Sequence, residues 1–127
     1  MNILVIDDKK SVRDCVSDFL TSLGHTVSTA VNGLDGFEKA QQAPFSLYII
    51  DHLMPLMNGV TLAKNLKKTL FCANTPILFM TTQNITSIKS LPEFHLFDGV
   101  ISKPLNEVEF KSTVKRLIDG VSSKIVL

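Results

Sequence analysis

The chain has 127 residues, of which 45% are hydrophobic, and its formal net charge at pH 7 is +1. This length suits one domain with a substantial core, and the hydrophobic content excludes a disordered chain. The near-neutral charge, without a basic segment, gives no indication of direct nucleic-acid binding. The apolar runs are too short to span a membrane, and the N-terminus lacks the features of a secretory signal. We therefore expect a cytoplasmic domain without a membrane partner.

The first half of the sequence alternates strand and helix patterns. A strand at residues 2–6 runs into Asp7 and Asp8, and Ser11 is the predicted cap of a helix that Gly24 ends. That helix carries its apolar residues at helical spacing, namely Val12, Cys15, Val16, Phe19, Leu20 and Leu23. Because Cys15 falls on this face, we expect a small buried thiol there. The other cysteine, Cys72, is distant and the pair lacks metal-site spacing, which suits a reduced compartment.

Residues 25–30 alternate weakly, as an edge strand does. Asn32, with Asp35 three residues later, is predicted to cap a second helix over about residues 33–43, closed by Pro44. The apolar run at residues 47–51 is typical of a strand buried on both faces of a parallel sheet, and it ends in Asp51. A third helix is predicted from about Gly59, with an apolar face made of Leu62, Ala63, Leu66 and Leu70.

The second half continues the alternation with a fourth strand at residues 77–81. Residues 84–91 make a weak fourth helix because threonine and serine are poor helix formers, and Pro92 stops it. We expect residues 92–98 to be irregular and residues 99–102 to form a fifth strand. Asn106 and Glu109 are predicted to cap the last helix, whose buried stripe is Phe110, Val114, Leu117 and Ile118. Residues 119–127 are interpreted as a tail or as the start of a linker.

This order predicts an α/β, doubly wound fold in which right-handed crossovers give a parallel sheet with helices on both faces. Four of the strands end in residues that carry chemistry: the pair Asp7 and Asp8, then Asp51, Thr81 and Lys103. Ligands bind beyond the carboxyl edge of such sheets. If these strands are neighbours, the acids, the hydroxyl and the ammonium converge.

The pattern resembles the receiver domain of bacterial two-component response regulators, of which the chemotaxis response regulator is a single-domain example. The matching residues are Asp7, Asp8, Asp51 with Met54-Pro55 and Asn58-Gly59 after it, Thr81, and Lys103-Pro104. They cover about residues 2–118 of a single domain at 1–127. The resemblance implies a flavodoxin-like (βα)5 fold with a five-stranded sheet in the order 2-1-3-4-5, and a cis bond between Lys103 and Pro104.

Three close carboxylates repel one another, and hard oxygen ligands favour Mg²⁺. We therefore expect Asp7, Asp8 and Asp51 to bind Mg²⁺, and the resemblance adds the carbonyl of Leu53. The alternative is that one acid is protonated or paired with Lys103 and that no metal binds.

The resemblance also makes Asp51 the acceptor of a phosphoryl group from a sensor histidine kinase or a histidine phosphotransfer protein. Thr81 and Lys103 would hold the charge of the transition state, and water would later hydrolyse the aspartyl phosphate. Such a domain catalyses its own phosphorylation and dephosphorylation, but it is mainly a signalling switch.

Several positions depart from the family or tune its response. Val100 stands where the family usually has tyrosine or phenylalanine, and Thr82 stands where alanine or glycine is common. With Gln83 and Pro104, these are the predicted switch and tuning positions. His52 is interpreted as a loop residue that points away from the site. The alternative function is a protein-binding module on the same fold that works without phosphorylation.

Two other classes of protein fit the residues less well. A nucleotide-binding domain needs a glycine-rich first turn, which residues 8–11 lack. A haloacid-dehalogenase-type phosphatase has its acids two residues apart after the first strand, whereas Asp7 and Asp8 are adjacent.

Overall fold

A computed structural model of the chain describes residues 1–120 and, for residues 125–126, the backbone of a short strand. The strands are β1 (Asn2–Ile6), β2 (Thr26–Ala30), β3 (Leu47–Asp51), β4 (Ile77–Thr81), β5 (Gly99–Ser102) and β6 (Ile125–Val126). The α-helices are α1 (Lys10–Ser22), α2 (Gly33–Ala40), α3 (Gly59–Lys68), α4 (Ile85–Lys89) and α5 (Glu107–Ile118), and a 3₁₀ helix spans Pro92–Leu96.

The strands form one parallel sheet in the order β2-β1-β3-β4-β5-β6. The predicted order 2-1-3-4-5 of the flavodoxin-like fold is confirmed. The two-residue strand β6 is an addition, because it pairs with β5 at Gly99 and Val100. Part of the segment interpreted as a tail or linker therefore extends the sheet. Residues 121–124 and 127 lie outside the described residues.

The central strands are buried on both faces, which explains their continuous apolar runs. Alternate residues of β1 and β3 face opposite sides, so Ile3 and Ile49 lie in the core beneath α1 and α5, whereas Leu4 and Ile50 lie in the core beneath α2 and α3. Two apolar layers thus hold the sheet from either side, and the carboxyl ends of the strands stay fixed relative to one another.

The first helix begins differently from its prediction, whereas the predicted end at Gly24 is confirmed, because Gly24 follows the C-cap Leu23 with a φ angle of 87°. It begins at Lys10 with Lys9 in the cap position, so the predicted Ser11 cap is wrong. Cys15 is exposed, and the expected buried thiol is wrong as well. Its neighbour Val16 is fully buried, and one residue turns the helix by about 100°, which moves Cys15 off the buried face. Leu23 lies past the end of the helix and is 40% exposed.

The predicted caps of two other helices are confirmed. The side chain of Asn32 accepts a hydrogen bond from the backbone N–H of Asp35, and that of Asn106 accepts one from Glu109. The second helix nevertheless ends at Ala40, three residues before the predicted end. The third helix ends at Lys68, so Leu70 lies outside it and is 94% exposed, which makes the predicted place of Leu70 on its apolar face wrong.

Residues 82–98 contain more regular structure than predicted. The fourth helix is shorter, with five residues from Ile85 to Lys89 and a cap at Asn84. Residues 92–96 form the 3₁₀ helix where irregular chain was expected. Pro92 occupies its first turn, where the fixed φ angle and the missing N–H of proline are tolerated. This proline therefore begins an element rather than simply ending one.

Candidate functional site

The predicted residues converge at the carboxyl edge of the sheet. Asp7 follows β1 directly, Asp51 ends β3, Thr81 ends β4, and Lys103 follows β5. These four strands are consecutive neighbours in the sheet. Asp7 and Thr81 are fully buried, and Asp51 is 4% exposed. Such burial is unusual for the two aspartates and indicates specific partners for their carboxylates. The convergence expected from the sequence is thus confirmed.

The acidic cluster consists of Asp7, Asp8 and Asp51. One carboxylate oxygen from each lies within 4.8 Å of the others. The ammonium of Lys103 bridges two of them, at 2.9 Å from Asp7 Oδ2 and 2.7 Å from Asp51 Oδ1. Asp8 is exposed, and it forms a long ion pair with Lys9, whose Nζ lies 4.0 Å from Asp8 Oδ1. One lysine therefore balances the two buried acids, and the outermost acid stays open to solvent.

Burial shifts the pKa values in this cluster. Loss of solvent raises the pKa of Asp51, the charge of Asp7 acts in the same direction, and the hydrogen bond from Lys103 opposes both. Burial alone would lower the pKa of Lys103, but its hydrogen bonds to Asp51 and Asp7 outweigh that effect and raise it. Lys103 is therefore held as a cation by the acids that it joins.

The turn after β1 is fixed by backbone and side-chain hydrogen bonds to Asp7. Its carboxylate accepts a bond of 2.9 Å from the N–H of Lys9, and its carbonyl accepts one of 2.9 Å from the guanidinium of Arg13. Because Asp7 Oδ2 is held by Lys103, both oxygens of this carboxylate have protein partners. Asp8 has more freedom to bind a ligand.

The loop after Asp51 passes close to the strand ends. A Cβ atom on Gly59 would lie 2.2 Å from the carbonyl oxygen of Asp51 and 3.0 Å from the ring of Phe79, so only glycine fits there. Within the loop, Leu56 has a φ angle of 68°, which is uncommon for a residue with a side chain. Leu53 lies in this loop with 55% of its surface exposed. The close approach of Gly59 thus fixes the start of α3 against the end of β3.

His52 contacts the site in a way that the sequence interpretation missed. Its Nδ1 lies 2.9 Å from the hydroxyl oxygen of Thr81, so the expectation that it points away is wrong. The register pairs Asp51 with Met80, which places the next two residues, His52 and Thr81, side by side. Sequence does not reveal this register, although a polar residue directly after Asp51 was a signal. Burial lowers the pKa of His52, and the charge of Asp51 opposes that shift.

Aromatic rings pack next to this pair. The ring of His52 lies 5.1 Å from that of Phe79, and Phe79 stacks on Phe97 at 4.0 Å with an angle of 9°. Val100 is fully buried and is the β5 partner of Phe79. The rings near Thr81 therefore come from His52 after β3, from Phe79 on β4 and from Phe97 after the 3₁₀ helix, and position 100 contributes none.

The remaining predicted positions surround Thr81 and Lys103. The bond between Lys103 and Pro104 is cis, as predicted. Thr82 and Gln83 are exposed, and the N–H of Gln83 donates to the Thr81 hydroxyl at 2.9 Å. Thr82, Pro104 and the exposed Cys15 line one surface groove together with Lys103. These positions thus border the site at the surface.

The chemistry of the donor set fits Mg²⁺. Carboxylates are hard oxygen ligands, and Mg²⁺ requires only one or two of them beside water and phosphate oxygens. Asp8 supplies an accessible carboxylate whose ion pair with Lys9 is long, at 4.0 Å, and Asp51 lies next to it.

No helix within the described residues is long and apolar enough to cross a membrane.

A family model described as the response regulator receiver domain matches residues 3–115. Among solved structures, the chain is similar to the chemotaxis protein CheY4 of Vibrio cholerae, with 33% identity and a TM-score of 0.84 over 91% of this chain and 97% of that one. It is also similar to the response regulator TrrA of Thermotoga maritima in complex with Mg²⁺-BeF, with 28% identity and a TM-score of 0.83 over 91% of this chain and 97% of that one.

Curated relatives include the probable transcriptional regulator ycf29 of Porphyra purpurea, which is 29% identical over 97% of this chain and 60% of its own length. The response regulator ArlR of Staphylococcus epidermidis is 27% identical over 99% of this chain and 56% of its own length. The chain thus spans little more than half the length of these relatives.

Proposed function

Because the chain belongs to the response regulator receiver domain family, we propose that Asp51 accepts a phosphoryl group from a sensor histidine kinase or a histidine phosphotransfer protein. One observation carries this assignment: Asp51 ends the central strand β3, 2.7 Å from Lys103, and shares a cluster with Asp7 and Asp8. The chain is thus the receiver domain of a two-component response regulator, and Asp51 is its proposed phosphoacceptor.

The proposed step is an attack by a carboxylate oxygen of Asp51 on the phosphorus of a phosphohistidine. The P–N bond breaks, and the donor imidazole keeps the electron pair and takes up a proton. Charge on the transferred phosphoryl oxygens is held by the Lys103 ammonium and the Thr81 hydroxyl. Lys103 also opposes the rise in the pKa of Asp51, which favours the ionised carboxylate that this attack needs.

We assign the proposed metal ligands to Asp7, Asp8, Asp51 and the carbonyl of Leu53. When bound, Mg²⁺ would neutralise part of the phosphoryl charge. Asp8 is the acid best placed for direct coordination, since its side chain is 30% exposed and its ion pair with Lys9 is long, at 4.0 Å. Asp7 is engaged by Lys103 and the N–H of Lys9, which suits a role in orienting the site.

The phosphorylated state ends when water attacks the phosphorus and the bond to Asp51 breaks, releasing inorganic phosphate. Thr82 and Gln83 are exposed beside Thr81, so we propose that they tune the access of this water. Pro104 fixes the chain next to Lys103, and Val100 supplies a buried aliphatic side chain where a mobile ring is common in the family.

Intact-mass spectrometry after incubation with acetyl phosphate and Mg²⁺ tests the assignment. We expect the wild type and Asp14→Asn, which alters an exposed acid of α1, to gain one phosphoryl group, and Asp51→Asn to gain none. Labelling of Asp51→Asn at the wild-type level would move the acceptor elsewhere. A wild type without any label would favour the protein-binding module that works without phosphorylation.

A further inference from the structure

The buried hydroxyl of Thr81 already has two partners. Its oxygen accepts a hydrogen bond of 2.9 Å from the N–H of Gln83, and it lies 2.9 Å from Nδ1 of His52. A threonine hydroxyl has a single hydrogen to donate. Because Gln83 contacts the oxygen as a donor, that hydrogen is available for Nδ1.

The position of His52 is fixed by its backbone and its ring. Its N–H donates to the carbonyl of Met80 at 2.9 Å, and its carbonyl accepts from Gly59 at 2.7 Å. The ring packs against Phe79 with a centroid distance of 5.1 Å. Nδ1 is therefore held in front of Thr81 by three independent contacts.

We infer that His52 is a positioning residue: its Nδ1 accepts the Thr81 hydroxyl hydrogen while Asp51 is unmodified and competes for it with a phosphoryl oxygen. This rests on the proposed function, in which Thr81 donates to the phosphoryl group. One hydrogen serves one of the two acceptors at a time, so the phosphorylated state must first break the bond to His52. The net free energy of the hydrogen bond between Thr81 and His52 stabilises the unmodified state, and it lowers the affinity for phosphoryl mimics by the same amount.

Two substitutions at His52 separate the effect of the Nδ1 atom from the effect of the packed ring. His52→Phe keeps an aromatic ring against Phe79 but lacks Nδ1, whereas His52→Asn places an amide where Nδ1 stands. We expect His52→Phe to bind beryllofluoride with Mg²⁺ about 3–10-fold more tightly than the wild type, the range of one net hydrogen bond. His52→Asn should stay near the wild type. An unchanged or weaker affinity in His52→Phe overturns the competition.

The hydrogen bond is measured directly by ¹⁵N NMR of the His52 ring without metal or mimic, at a pH where the imidazole is neutral. We expect Nδ1 to be an unprotonated acceptor in the wild type and in Thr81→Ser, which keeps the hydroxyl. Its resonance should shift in Thr81→Val, which removes the hydroxyl. A protonated Nδ1, or the same resonance in all three proteins, overturns the inference.

The two measurements also separate this inference from the proposed function. If the wild type binds no beryllofluoride in the presence of Mg²⁺, the proposed function fails and the competition fails with it. The NMR comparison of Thr81→Val with Thr81→Ser still decides whether His52 holds the hydroxyl. Urea unfolding of each variant verifies that a changed signal does not come from a lost fold.

Discussion

The carboxyl edge of the sheet and the segment of residues 82–98, called here the α4 segment, meet at Thr81 but are built differently. At the edge, Asp7, Asp51 and Thr81 are buried at the ends of three paired strands, and Lys103 joins the two acids. The α4 segment, all of which the structure describes, has only Ile88 and Phe97 buried. Its helical pieces have five residues each.

Because the two regions are built differently, we expect them to have different roles. Neighbouring strands hold charges at fixed spacing, as phosphoryl transfer requires, because hydrogen bonds and apolar layers support each strand from several sides. A helix of five residues is far below the length at which helices are stable alone, so the α4 segment depends on the packing of its apolar side chains against the core, and only Ile88 and Phe97 among them are fully buried. We therefore expect chemistry at the rigid edge and the response to phosphorylation in the α4 segment.

The largest effect is expected when the cation of the edge is removed. Lys103→Met leaves Asp7 and Asp51 buried without their shared cation, which should lower the free energy of unfolding by about 3–5 kcal/mol. The matched control is Lys10→Met, which breaks an exposed pair with Asp14 and should cost less than about 1 kcal/mol. Urea unfolding without metal measures both, and equal small losses would contradict a tightly held edge.

The second prediction concerns the split of roles between the two adjacent acids. We expect Asp8→Ala to weaken Mg²⁺ binding by about 100-fold and Asp7→Ala by about tenfold, because Asp7 would act on the ion largely through water. The reason is that Asp7 already has Lys103 and Lys9 as partners, whereas Asp8 is open. Metal titrations of both variants measure this, and the reverse order would refute the assignment.

The third prediction tests the α4 segment. Beryllofluoride with Mg²⁺ should slow hydrogen exchange in residues 82–98 by about 5–10-fold, a modest coupling between two sites. The rings of Phe79 and Phe97 connect the neighbourhood of Thr81 to the end of this segment, and Val100 provides no aromatic alternative. Unchanged exchange there, with large changes elsewhere, would place the output surface in another region.

The smallest effect is a pH dependence. Because the folded state raises the pKa of Asp51, it binds a proton there more readily than the unfolded chain does. The stability contributed by this group is greatest below the ordinary carboxyl pKa of about 4 and falls as the pH rises through the higher folded pKa. Asp51→Asn should lack this fall, and Asp14→Asn, an exposed control, should keep it.

The free energy of unfolding, measured as a function of pH, tests the direction of this change. The advantage of Asp51→Asn over the wild type should shrink on acidification, since both proteins then carry a neutral group at this position. An advantage that grows at low pH would contradict the raised pKa of Asp51.

The sequence by itself determined the first five strands, the five α-helices and the chemical groups of the site. The apolar run of β3, the caps Asn32 and Asn106, and the acids at the strand ends are signals carried by neighbouring residues. Such signals act over a few residues, and for that reason they are readable without a structure. The resemblance to receiver domains added the strand order and the proposed roles of Asp51, Thr81 and Lys103.

Tertiary structure decided the contacts between distant residues. The bond between His52 and Thr81 joins positions 29 residues apart, and that between Lys103 and Asp7 joins positions 96 apart. Both depend on strand register and on the order of strands in the sheet, which local periodicity does not encode. The exposure of Cys15 and the pairing of β6 with β5 also depend on tertiary structure, because each is set by which distant part of the chain packs against that element.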